Sequence, residues 1–442
     1  MKVLVLVDGE HYPSVTRWGI DVARSMGHEV IAALFLGGTE KVAAEGVPDL
    51  GVRTLPPRSD LGAALSSALA EVGPEAVLDL SDEPVLGYRE RMGLVGLALS
   101  KGVVYLGPDF RFDPPVTYPA LPVPTLAVIG TGKRTGKTAI AGQVARAAGA
   151  RGLTPIIVAM GRGGPPEPQV AKSGGVDVAS LLRLVADGHH AASDYLEDAL
   201  MTGVTTVGAR RVGGGFAGGA FATNVGEAAE LAVREGAGLI VLEGSGSAVP
   251  PVPWDAGILI VPASAPPEYL GGYLGPFRLL LSDLVVFTMA AGPSFRAENL
   301  SALQSQVQRW NEDARFVVTD LEPVPLGDVR GKTVFLTTTA PIEQARSQAV
   351  RLESDAGCKV VGYSANLSDR AALVRDLAAA DDYEVLLTEL KAAAVDVACR
   401  QALDGGSQVV FMYNRAVATE GRGLDEALRE ICDLAVVRAS DR

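Results

Sequence analysis

The chain has 442 residues, 48% hydrophobic and 21% charged, which suits two or three packed cores and excludes a largely disordered polymer. Lys and Arg number 39 against 52 Asp and Glu, a net charge of −13; broad nucleic-acid binding is excluded, because phosphate backbones need a cationic face. Three cysteines (Cys358, Cys399, Cys432) and four histidines, with no CxxC or HExxH spacing, support neither a disulfide framework nor a zinc site.

The opening run Met1–Val7 ends at Asp8, too short for a signal peptide and suited to a buried strand. As far as Asp109, apolar runs at Val3–Val7, Glu29–Phe35, Ala76–Leu80 and Val103–Leu106 predict strands. Between them, helical spacing falls at Val15–Met26, Leu61–Val72 and Gly87–Ser100. This alternation predicts a parallel sheet covered by helices. The proline-rich stretch Asp113–Pro124 reads as an extended linker, since proline fixes φ and lacks an amide donor.

Beyond it, strands are expected at Thr125–Ile129, Pro155–Ala159, Leu239–Leu242, Ile258–Val261 and Leu284–Thr288. The glycine run Gly213–Gly219 is expected to bring backbone close to a ligand. After Glu322-Pro323-Val324-Pro325 a third pattern has strands at Thr333–Thr337, Lys359–Tyr363, Glu384–Leu387 and Gln408–Met412. The expected organisation is an N-terminal α/β domain over 1–112, a linker over 113–124, a core domain over 125–322 and a C-terminal α/β domain over 323–442. The longest apolar stretch, Leu279–Ala291, contains Ser282 and Asp283 and cannot span a bilayer. A soluble, cytoplasmic protein in a reducing compartment is expected.

The strongest chemical signal follows the strand Thr125–Ile129. Gly130-Thr131-Gly132-Lys133-Arg134-Thr135-Gly136-Lys137-Thr138 and a helical run make a strand, glycine-rich loop and helix of P-loop type. Glycines let backbone N–H groups curl toward a phosphate chain, and the helix N-terminus adds positive charge. Lys137 would reach the β/γ-phosphates of ATP, and the Thr138 hydroxyl would join a Mg²⁺ shell. In the commonest spacing a glycine stands at the place of Thr131; here Gly130 and Gly132 flank it. The form Gly-Thr, four residues, Gly-Lys-Thr resembles the variant P-loop of dethiobiotin synthetase-like enzymes. The strand Leu239–Leu242 delivers Glu243 as a second metal candidate, with Glu167 a weaker one.

Cations gather around this loop. Lys133 and Arg134 lie inside it, Val158–Pro168 delivers Arg162 among glycines, and Arg210 and Arg211 precede the glycine run. In so acidic a chain this suggests a second polyanion facing ATP, since arginine suits bidentate phosphate contacts.

Taken together, Gly130–Thr138, Val158–Pro168, Glu243–Gly246, Val7–Pro13, Asp82–Arg91, Gly327–Lys332 and Thr337–Pro341 resemble the cyclic 2,3-diphosphoglycerate synthetase family. The resemblance implies an α/β fold, a P-loop NTPase-type parallel sheet core flanked by N-terminal and C-terminal Rossmann-like units. It also implies an ATP-driven ring closure of 2,3-diphosphoglycerate with release of ADP and phosphate. On that reading Lys137, Lys133, Arg134 and Arg162 act on the phosphates, and Thr138 and Glu243 hold Mg²⁺. Arg162, His11, Arg89 and Arg91 bind substrate. The partner is that small molecule, with no nucleic acid and no membrane; a homodimer stays open. Two rivals share the P-loop: another ligase or kinase, of dethiobiotin synthetase or phosphoglycerate kinase type, and a non-synthetic ATPase switch. Such switches usually carry a second lysine directly after the loop's first glycine, where this chain has Gly132.

Overall fold

The computed structural model describes residues 1–42, 47–291, 294–420 and 423–442. The fold is α/β and forms two compact units. One comprises Met1–Val116, Pro266–Leu281 and Ala302–Asp313, and the other Thr117–Ala265, Ser282–Ser301 and Ala314–Arg442. No described helix is long and apolar enough to cross a membrane.

In the first unit, strands β1 (Lys2–Val7), β2 (Glu29–Phe35), β3 (Thr54–Leu55), β4 (Ala76–Asp79), β5 (Val104–Leu106) and β6 (Arg111–Phe112) form a sheet in the order β3-β2-β1-β4-β5-β6. Only the β5–β6 pairing is antiparallel. Helices α1 (Pro13–Ser25), α2 (Leu61–Val72) and α3 (Tyr88–Ser100) connect the strands. Asp60 caps α2 by accepting from the Ala63 amide at 3.0 Å, and Gly73, at φ +57°, ends it. The sequence pattern did not foresee that two later stretches join this unit. Small residues on α3 admit them: a Cβ at Gly93 would lie 2.1 Å from the Trp310 ring, and one at Gly96 2.9 Å from the Phe277 amide nitrogen.

The second unit carries β7 (Thr125–Gly130), β8 (Pro155–Gly161), β9 (Gln169–Ala171), β10 (Thr206–Val212), β11 (Ala222–Thr223), β12 (Leu239–Glu243), β13 (Ala256–Pro262), β14 (Leu284–Thr288), β15 (Arg315–Pro325), β16 (Thr333–Thr337), β17 (Lys359–Ser364), β18 (Val385–Thr388) and β19 (Gln408–Glu420). Among the described residues these make one sheet, ordered β11-β10-β8-β12-β7-β13-β14-β15-β19-β18-β16-β17, with β9 on β10. The expected domain boundary at 322–323 therefore falls inside β15. Its prolines are tolerated because β14 pairs it only as far as Val318, so one edge of Thr319–Pro325 loses no ladder bond to Pro323 or Pro325. Strand β19 joins the two halves, pairing parallel with β18 through Phe411 and antiparallel with β15 beyond Met412. The terminal helix Leu424–Ser440 then packs Leu424, Leu428, Ile431 and Cys432 into the core shared by β7, β12, β13 and the helix after the phosphate loop.

The stretch 113–124 has neither helix nor strand. Within the second unit the Tyr118 amide donates to the Pro251 carbonyl at 2.7 Å. The glycine run 213–219 is a turn between β10 and β11, closed by Gly215 N to Gly219 O at 2.8 Å. The run is not among the residues lining the cavity described below. Positive φ at Gly213 and Gly218 explains the composition of the turn.

Cys358, Cys399 and Cys432 are all buried and unbridged, and burial pushes the Cys399 and Cys432 thiols up to about 12. A disulfide-exchange reagent at about pH 8 is expected to titrate less than one thiol in the native protein and all three after denaturation. Rapid native reaction of two or more would contradict this packing.

Candidate active site

Strand β7 is buried along its whole length between β12 and β13. It ends at Gly130, where the chain turns through the loop into α4 (Lys137–Ala150). Gly136, at φ +97°, caps that helix. Lys137 folds back beneath the loop, with Nζ donating to the Gly132 carbonyl at 2.7 Å and to Thr135 Oγ1 at 3.4 Å. This path explains the displaced glycine. A Cβ on residue 130 would meet Thr135 Oγ1 at 2.9 Å and the Lys137 stem at 3.1 Å, whereas one on Gly132 would touch nothing. Thr131 donates its amide to the Ile260 carbonyl, which ties the loop to β13.

Burial pushes the Lys137 ammonium down to about 8, with Glu243 and Asp194 acting in the opposite sense. Thr138 Oγ1 donates to Glu243 Oε1 at 2.8 Å. The other oxygen of Glu243 is buried without a hydrogen-bond partner, as are both oxygens of Asp198 on helix α5 (Asp194–Thr202). Burial raises both carboxyls, and their proximity to each other raises Asp198 further. Partnerless buried carboxyl oxygens next to a threonine hydroxyl suit a hard cation whose remaining ligands come from phosphate or water. Among the described residues no cluster of three His, Cys, Asp or Glu side chains forms a metal site by itself.

The loop opens on a cavity of about 720 Å³ within the second unit. The parallel strands explain its position, because β7, β8 and β12 end on the same side of the sheet. Lys133, Arg134, Thr135, Gly136, Lys137, Thr138, Arg162 and Glu243 all line it. Lys133, Arg134 and Arg162 are exposed residues with no ionic partner among the described residues. Arg134 holds φ +57°, strained for a residue with a Cβ. Arg162 Nη2 lies 2.8 Å from the position of a Cβ on Gly246, and Arg211 Nη2 lies 3.5 Å from it, so two guanidinium groups meet there. Arg211 is anchored by donating to the carbonyls of Ser245 at 2.8 Å and Gly213 at 2.6 Å. Arg210 instead donates to the Pro165 carbonyl. Glu167 is exposed and does not line the cavity.

The remaining candidates lie in the first unit. Asp8 follows β1 and accepts from the amides of Glu10, His11 and Asp82, while its Oδ1 bonds His11 Nδ1 at 2.8 Å. Arg91 is held by Asp79 at 2.8 Å and the Ser81 carbonyl at 3.0 Å. Arg89 is exposed with no ionic partner among the described residues.

Sequence reasoning missed the acidic helix α5 and the contribution of the C-terminal segment. Asp194, Glu197, Glu389, Lys391 and Asn414 all line the cavity. A signal for two of them was present: Glu389 directly follows the apolar strand β18 and Lys391 comes two residues later, and carboxyl ends of parallel strands are where open sheets place ligands.

Comparison with known proteins gives three adjoining matches. The cyclic 2,3-diphosphoglycerate synthetase N-terminal domain matches residues 2–113, its P-loop domain 125–320, and its C-terminal domain 325–415. A cyclic 2,3-diphosphoglycerate synthetase of Rubrobacter xylanophilus is 45% identical over 100% of this chain and 98% of that one. One from Methanothermobacter thermautotrophicus is 40% identical over 98% and 96%, and one from Methanothermus fervidus 39% identical over 98% and 97%.

Proposed function

The chain belongs to the cyclic 2,3-diphosphoglycerate synthetase family, and we propose that it converts 2,3-diphosphoglycerate and ATP into cyclic 2,3-diphosphoglycerate, ADP and phosphate. The observation that carries this reading is one cavity that combines a phosphate loop with cations beyond those a nucleotide needs. A chain of net charge −13 that concentrates Lys133, Arg134, Lys137 and Arg162 there is built for two polyanions.

The chemistry balances in two displacements. An oxygen of one substrate phosphate attacks the γ-phosphorus of ATP, ADP leaves, and a phosphoanhydride forms. An oxygen of the neighbouring phosphate then attacks the substrate-bound phosphorus of that anhydride, and inorganic phosphate leaves as the ring closes. Both nucleophiles are already ionised, so no general base is required. The demand is for charge neutralisation and alignment. Lys137 supplies a fixed positive charge at the transferring phosphoryl group. Lys133, Arg134 and Arg162 hold the acceptor phosphates against their mutual repulsion. Thr138 and Glu243 are the residues that would hold Mg²⁺, which when bound neutralises phosphate charge. In the first unit, Asp8 holds His11 and Asp79 holds Arg91, and Arg89 is exposed.

Phosphorus NMR of the full chain with ATP, Mg²⁺ and 2,3-diphosphoglycerate tests the reading. The expected result is a new pair of anhydride resonances with ADP and phosphate formed in equal amounts. ADP without a cyclic product, or ADP only with some other acid, would overturn it and favour a different ligase.

A further inference from the structure

The scheme above leaves several charged groups of the cavity unused, among them a lysine. Lys391 lines the wall beyond β18, and 37% of its side-chain surface is open. Its Nζ stands 3.2 Å from Glu197 Oε1 on α5. Glu389, two residues earlier, is fixed in place. Thr339 donates to its Oε2 through both amide and hydroxyl at 3.0 Å, and Asn414 Nδ2 donates to its Oε1 at 3.3 Å. Burial opposes the Lys391 ammonium, but Glu197, Glu389 and Asp194 outweigh it and raise the group above the ordinary lysine range.

The backbone at this point is held in a conformation it would not choose. Ala392 adopts φ +48°, and a π-helical turn, Ala394–Cys399, follows. Ala392, Arg134 and Met289 are three of the four non-glycine residues with positive φ among the described residues, and all three line this cavity. Strain concentrated here marks a wall shaped for a ligand.

Asp194 lines the same cavity. Burial raises its carboxyl, and the four charges that counter this are Lys391, Lys137, Lys133 and Arg162. Lys391, Lys137, Lys133 and Arg162 line one cavity, and a wall that gathers four cations suits a phosphate. We infer that Lys391 is a substrate-binding residue, the cation by which the C-terminal segment grips the acceptor phosphate together with Lys133 and Arg162. A lysine suits this post because it is a compact charge on a flexible stem, able to pass from Glu197 to an incoming phosphate without a fixed fork geometry. The inference rests on the reading that the acceptor is a phosphorylated acid.

Calorimetric titration of the full-length protein with 2,3-diphosphoglycerate, and separately with a non-hydrolysable ATP analogue, tests it. Lys391→Gln removes the cation, and Lys391→Gln with Glu197→Gln also removes the carboxylate left behind, so that folding is preserved. The double variant is expected to bind 2,3-diphosphoglycerate about tenfold more weakly or worse, the worth of a charged hydrogen bond, while its affinity for the analogue stays within about twofold. Lys391→Arg should recover part of the loss. Unchanged substrate affinity in the double variant, or an equal loss for both ligands, would overturn the assignment while leaving the functional reading intact. Failure of the unaltered protein to bind 2,3-diphosphoglycerate would instead overturn the functional reading, and this assignment with it.

Discussion

Lys137→Ala is expected to slow ring closure by about 10³-fold, the scale found when one preorganised charge is removed from a transition state. The reason lies in the position of Nζ. It is tethered to the Gly132 carbonyl in a residue 8% exposed, so bulk water cannot take its place. Burial already opposes the ammonium, and losing it removes that cost, so the fold should survive. Phosphorus NMR initial rates, with circular dichroism as the control, decide the matter. A folded variant retaining more than about a tenth of the activity would show that Lys137 does not stand at the transferring group.

Arg162→Ala is expected to weaken 2,3-diphosphoglycerate by about 10–100-fold and leave nucleotide affinity nearly unchanged, since a hydrogen bond to a charged group contributes about 1.5–3 kcal/mol. Arg162 and Arg211 point at the same small volume beside Gly246. Two like charges facing each other gain most when an anion comes between them, and Arg211 is anchored there by backbone carbonyls. Arg162→Lys should recover only part of the loss, because the planar fork is absent. Separate measurement of KM for substrate and for ATP reads the result. An equal rise in both would place Arg162 on the nucleotide instead.

Much of this was legible from local pattern. The strands Glu29–Phe35, Leu284–Thr288 and Thr333–Thr337 and the helix Leu61–Val72 occur at the expected bounds, because their apolar periodicity and flanking turns agree. The phosphate loop was readable because its chemistry is contiguous. Strand β10 was hidden by Gly208 and the adjoining glycine run; that glycine is required because a Cβ there would lie 2.6 Å from the Tyr195 ring. Strand β15 was hidden by its prolines, whose harmlessness depends on which neighbours pair with which edge. The acidic wall of the cavity escaped notice because Asp194 and Glu197 read as an ordinary solvated helix face. The burial of Glu197 and Asp198 comes from strands and segments distant in sequence. Linear patterns report partners a few residues away and not those brought in by the sheet.

Strand β19 works as a splint. Since one uninterrupted run of backbone is stitched to β18 at its start and β15 at its end, the tail half cannot hinge away from the nucleotide half without tearing a ladder. For the same reason a truncation stopping near residue 322 would strip β15 of its ladder partner β19 and leave the oily flank beneath the terminal helix bare to water. The phosphate-loop half and the tail half thus share one continuous sheet.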